Sequence, residues 1–128
     1  MSHTALHGAY VLLLEDEALI NLAMVDLLQE MGCRVSGFMH LEPALAAIER
    51  ELPDLAVLDV NIDGVPSYQL AEKLQEAGVP FVFVTGYGSP SMRGKWRDFP
   101  HCSKPCIPAE LKAALSKAFA TRSVPKKE

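Results

Sequence analysis

Glu15, Asp16, Asp59, Thr85 and Lys104 are the residues whose types could do chemistry together. Glu15-Asp16, Asp59 and Thr85 each close a short, mostly apolar run, and Lys104 ends a very short strand candidate. Tyr10-Val11-Leu12-Leu13-Leu14 leads into Glu15-Asp16-Glu17, and Leu55-Ala56-Val57-Leu58 leads into Asp59. Pro80-Phe81-Val82-Phe83-Val84 leads into Thr85-Gly86, and His101-Cys102 leads into Ser103-Lys104. Carboxylates converging in one crevice repel, and stay ionised only when a cation joins them. Carboxylate oxygens, a backbone carbonyl and water are the ligands that suit Mg2+. A lysine and a hydroxyl at the same rim are donors for an anion. Acids, a hard metal, a Lys and a Thr around one free carboxylate describe phosphoryl transfer, with Asp59 as the nucleophile. Singly, each residue has an ordinary alternative: a strand-end Asp caps a helix, first-turn acids suit a helix dipole, and a loop lysine is solvated. The set on successive strand ends is what carries the reading.

These residues are spread over most of the chain, so only the fold can gather them. Apolar runs bounded by turn residues read as strands buried on both faces. Between them lie helical patterns. After Glu17, Ile20, Met24, Leu27 and Met31 recur at helical spacing, with Gly32 as the stop. Arg34-Val35-Ser36-Gly37-Phe38 alternates weakly and reads as a short strand. Residues 41–50 form a second helix, with Leu45, Ile48 and Leu52 as its buried stripe and Pro43 in its first turn. Residues 68–77 form a third, with Leu70 and Leu74 inward. Residues 109–120 form the last, with Leu111, Leu115 and Phe119 on one face. In 86–100, Gly86, Gly88, Pro90, Gly94 and Pro100 argue against a stable helix, since an interior Gly costs about 1 kcal/mol against Ala. Strands alternating with helices five times predict an α/β fold, a parallel sheet with helices on both faces. In such a sheet, ligands bind at the C-terminal ends of the strands. Residues 1–128 read as a single domain with a core over 8–120, a flexible N-terminal lead and a frayed polar tail from Thr121.

Composition narrows the class. A net charge of −4 argues against nucleic-acid binding by the whole surface. No apolar run approaches the roughly 20 residues of a membrane span, and no signal-peptide pattern opens the chain, so a cytoplasmic location is expected. Cys33, Cys102 and Cys106 are too few for a disulfide framework and read as reduced thiols; His101 near two of them does not make zinc spacing.

Taken together, the chain resembles a bacterial response-regulator receiver domain over residues 8–120. The pieces that match are Glu15-Asp16, Asp59 and Thr85, each after its apolar run, together with Lys104-Pro105. The resemblance implies a flavodoxin-like five-stranded sheet of order 2-1-3-4-5. It implies that Asp59 accepts a phosphoryl group from a histidine kinase. Asp16 would ligate Mg2+ directly, Glu15 through water, and Asn61 by its backbone carbonyl, while Thr85 and Lys104 would bind the phosphoryl oxygens. Phe83-Val84-Thr85-Gly86-Tyr87 is similar to the signature of FATGUY receivers, whose fourth helix is weak or absent and which pair with HWE-type or related kinases. Such a domain promotes its own phosphorylation and dephosphorylation, and it hands the signal to a downstream protein. Tyr87 and His101 are the switch candidates; His101 stands where many receivers have Tyr or Phe, and Glu15 stands where Asp is commoner.

The same residues bear on other functions. A phosphate sink for a shared kinase would carry the same residues. An aspartyl-phosphate phosphatase would want a second Asp two residues after the nucleophile, where Asn61 stands. An acidic crevice would repel the phosphate of a flavin. Arg93, Lys95, Trp96 and Arg97 read either as a docking patch or as a solvated basic turn with Trp96 tucked inward.

Overall fold

The computed structural model describes residues 6–62, 64–86, 94, 96, 99–104 and 108–120. The expectations for Tyr87, Arg93, Lys95, Arg97, Pro105, Cys106 and the tail from Thr121 concern residues outside this set.

Five strands, β1 (Tyr10–Leu14), β2 (Arg34–Phe38), β3 (Leu55–Asp59), β6 (Phe81–Thr85) and β7 (His101–Ser103), form one parallel sheet of order β2-β1-β3-β6-β7. That is the 2-1-3-4-5 order expected from the resemblance. β1, β3 and β6 are buried at every position, as continuous apolar runs predict. Their alternation splits the core in two. Leu12, Leu14, Ala56, Leu58, Phe81 and Phe83 face α2 (Leu41–Arg50) and α3 (Tyr68–Glu76). Val11, Leu13, Val57, Val82 and Val84 face α1 (Ala18–Glu30) and α4 (Pro108–Ala120). By the same alternation, Glu15 and Asp59 continue the rows of Leu13 and Val57, on the α1 and α4 side.

Several local expectations shift. α1 buries Met24 and Leu28 fully, while Ile20, Leu27 and Met31 are only partly covered, so its stripe is rotated from the expected one. α2 buries Ala44, Ala47 and Ile48. Leu52 is 49% exposed, because the chain becomes extended at Glu51 and leaves the helical face before it is reached. The turn after Asp59 is a small hairpin, β4 (Asn61–Ile62) antiparallel to β5 (Val65–Pro66), with Gly64 at positive φ. Most of residues 86–100, where a weak or absent fourth helix was expected, lies outside the described residues. Trp96 there is buried, stacked on Tyr68 at 5.5 Å and packed with Phe81, Phe83 and Phe99, which decides for the inward reading of its side chain.

The reading of residues 1–8 as a flexible lead is corrected for residues 6–8. Leu6 is fully buried in the α1–α4 half of the core, its carbonyl accepts from Ala9 N and Cys33 Sγ, and Gly8 N donates to Gly32 O. An isolated leucine ahead of a glycine has no periodic neighbours, so its burial left no mark in the sequence pattern. Leu6→Ala is expected to destabilise the fold by about 2–4 kcal/mol, as buried Leu→Ala changes do. Urea unfolding midpoints compared with wild type would show it, and an unchanged midpoint would mean that Leu6 is dispensable to the core.

Candidate functional site

The candidates lie at or just beyond the C-terminal ends of their strands. Leu14 pairs with Leu58 and Asp59 with Val84, so β1, β3 and β6 end nearly level. That brings Glu15, Asp16 and Asp59 together: one ligand oxygen from each lies within 4.8 Å of the others. Lys104 arrives from beyond β7. Its backbone N–H donates to Thr85 O at 2.7 Å, which fixes the loop leading to the lysine side chain. Nζ then donates to Asp59 Oδ2 at 2.9 Å and to Glu15 Oε2 at 3.3 Å. It also lies 3.0 Å from Glu15 Oε1, in ion-pair contact without a hydrogen bond to that oxygen.

Burial sets the electrostatics. Glu15 is 1% and Asp59 5% exposed. Desolvation pushes both carboxyls above their ordinary range. The Glu17 N–H and Lys104 pull Glu15 back down, as Lys104 and the Asn61 N–H do Asp59. The negative charge of Asp59 adds to the rise at Glu15, and that of Asp16 to the rise at Asp59. Burial alone would lower the Lys104 ammonium, but its hydrogen bonds to Asp59 and Glu15 outweigh this and hold it above the usual lysine value. The backbone supplies further donors: Glu17 N to Glu15 Oε2 at 2.9 Å, and Asn61 N to Asp59 Oδ1 at 3.3 Å.

Asn61 was expected to contribute its carbonyl. The residue opposite it in the hairpin is Pro66, which has no N–H, so that cross-strand partner does not consume the carbonyl. Thr85 is buried at the end of β6, beside Ser103 of β7. His101 is exposed on the outer strand β7, with Nδ1 3.2 Å from Phe99 O, and is not part of the carboxylate cluster. Cys33 and Cys102 are buried thiols that donate to Leu6 O and Glu110 O. Two supporting roles escaped the sequence reading, that of the Thr85 carbonyl in holding Lys104 and that of the Glu17 amide in holding Glu15. Both are backbone contacts, which side-chain types do not announce.

The donor set fits a small divalent cation. It is all oxygen and anionic, and two of its carboxylates are desolvated.

Residues 11–116 match the family model described as the response regulator receiver domain. The chain belongs to the response regulator receiver family. SdrG from Sphingomonas melonis Fr1 is 33% identical, with a TM-score of 0.79 over 94% of this chain and 100% of that one. The PhyR receiver domain from Erythrobacter litoralis is 25% identical, with a TM-score of 0.80 over 97% and 99% of the two chains. A probable transcriptional regulator, ycf27, of Porphyridium aerugineum is 29% identical over 82% of this receiver domain, which spans only 45% of that protein. No helix among the described residues is long and apolar enough to cross a membrane.

Proposed function

We propose that this receiver domain is a phospho-acceptor switch. Asp59 takes a phosphoryl group from the phosphohistidine of a histidine kinase, in a reaction that needs Mg2+, and the modified domain changes its affinity for a downstream protein. The observation that carries this reading is the Lys104 ammonium held against both Asp59 and Glu15 at the strand edge.

A carboxylate oxygen of Asp59 attacks phosphorus. The O–P bond forms as the P–N bond to the donor imidazole breaks, and the imidazole leaves with that electron pair. The transferred group brings about two negative charges. Lys104, already within 2.9 Å of Asp59 Oδ2, meets one of its oxygens, and the Thr85 hydroxyl donates to another. Asp16, Asp59, the Asn61 carbonyl and, through water, Glu15 are the groups that would hold Mg2+, which offsets charge on the phosphoryl oxygens when bound. The likeness of residues 83–87 to the FATGUY signature supports an HWE-type or related kinase as the donor. Incubation with acetyl phosphate and Mg2+, followed by borohydride reduction and peptide mass analysis, should place one modification on Asp59. A chain that stays unmodified, or is modified elsewhere, removes the proposal.

The metal has a thermodynamic signature. In the metal-free protein the raised Glu15 and Asp59 values mean that the folded state holds more protons than the unfolded one between the ordinary carboxylate range and those raised values. Their contribution is therefore full at acid pH and lost as pH rises through the raised values. Mg2+ competes with these protons, so millimolar Mg2+ should raise Tm most at neutral pH, with the gain shrinking as pH falls toward the ordinary carboxylate range. Thermal melts with Mg2+ and with EDTA at several pH values check this. A Tm indifferent to Mg2+ at pH 7.5 would count against a formed site.

A further inference from the structure

We propose that Asn21 is a positioning residue for the acidic pair, and that residue 37 is glycine to seat it. This inference rests on the Mg2+-dependent reading of the site. Asn21 lies in the first turns of α1, half-buried. Its Nδ2 lies 3.0 Å from Glu15 O and 3.0 Å from Phe38 O. Both partners are carbonyl acceptors, so the amide nitrogen must face them and Oδ1 must face away. Phe38 O also accepts from Glu15 N at 2.9 Å. One side chain thus ties the first peptide after β1, which carries Glu15 and Asp16, to the end of the edge strand β2 and to α1.

Gly37 supplies the second, independent observation. A Cβ at this position would meet Asn21 Oδ1 at 2.8 Å and Val25 Cγ2 at 3.2 Å. Its φ is not in the left-handed region, so backbone conformation does not explain the glycine. Gly weakens a strand and marks a close approach, and Asn is a poor residue for a helix interior. Each breaks a local rule, and each is explained by the other. The consequence lies at the site. Glu15 Oε2 is held by Glu17 N and Lys104, and Asp16 follows directly on the pinned peptide, so releasing Asn21 lets both carboxylates drift from the oxygen cluster.

The test uses the full chain with Mg2+ alone as probe. Asn21→Ala is expected to weaken Mg2+ binding by about tenfold, the usual cost of losing an outer partner of a metal ligand. In the metal-free protein it should also speed amide exchange at Glu15 and Glu17. Gly37→Ala keeps the amide but displaces it, and should act in the same direction. In the double variant the two losses should not add, since the second removes a contact already gone. Phe119→Ala, which lowers Tm from the far end of α4, should leave Mg2+ affinity unchanged and so separates positioning from stability. Asn21→Ala with wild-type Mg2+ affinity and only a lower Tm would overturn the inference while leaving the site reading intact. A wild-type chain that binds no Mg2+ would overturn both.

Discussion

Asp59→Asn is expected to abolish phosphoryl uptake from acetyl phosphate while leaving the domain folded. The amide keeps the shape and an oxygen toward Asn61 N–H, but an amide is not a nucleophile toward phosphorus at neutral pH. The rate falls to background, because no other described carboxylate has this combination of burial, Lys104 contact and strand-end placement except Glu15. Glu15 is itself locked by Glu17 N and Lys104. The same substitution should raise the Tm of the metal-free protein at neutral pH. Burial makes ionised Asp59 costly in the folded state, and the neutral amide removes that cost together with its repulsion of Glu15. Labelling followed by acid and base treatment, and melts in EDTA, read the two effects. Base-labile label that persists undiminished in the variant would remove Asp59 from its assigned role.

Lys104→Met is expected to have the second largest effect. It leaves Glu15 and Asp59 buried side by side with no cation between them. Removing one partner of a buried pair is costly, although solvent reaches part of Lys104, so the loss at neutral pH in EDTA should be about 1–2 kcal/mol. Its pH dependence identifies the cause. Without Lys104 both carboxyls rise further above their ordinary values, so the deficit should be full above those raised values. It should shrink as pH falls through them, as the carboxyls take up protons. Mg2+ should restore much of the stability at neutral pH, whereas acetyl phosphate labelling should stay slow because the phosphoryl oxygens lose their ammonium. Denaturant midpoints at pH 7.5 and pH 5 measure this. An equal deficit at both values would point to lost packing of the lysine stem instead.

The features legible in the residue pattern are local in origin. Apolar runs without alternation marked β1, β3 and β6 as doubly buried, and helical spacing between them required parallel crossovers. From these alone, Glu15, Asp16, Asp59 and Thr85 had to sit at strand ends on one edge of a sheet. The glycines and prolines of 86–100 likewise argued against a fourth helix. The register of neighbours was beyond such patterns. That Lys104 bridges Asp59 and Glu15, rather than reaching solvent, depends on Thr85 O holding its backbone, a contact between segments far apart in the chain. Leu6 is buried because the fold brings it into the core half that α1 and α4 cover, and Leu52 is exposed because Glu51 turns the chain away. Nothing in the local pattern singled out Asn21 or Gly37; the fold alone sets them face to face. Periods of 2 and 3.6 residues tell which face a side chain takes. Which group from another segment it meets there is decided by packing, and the electrostatics of this site are the result of that packing.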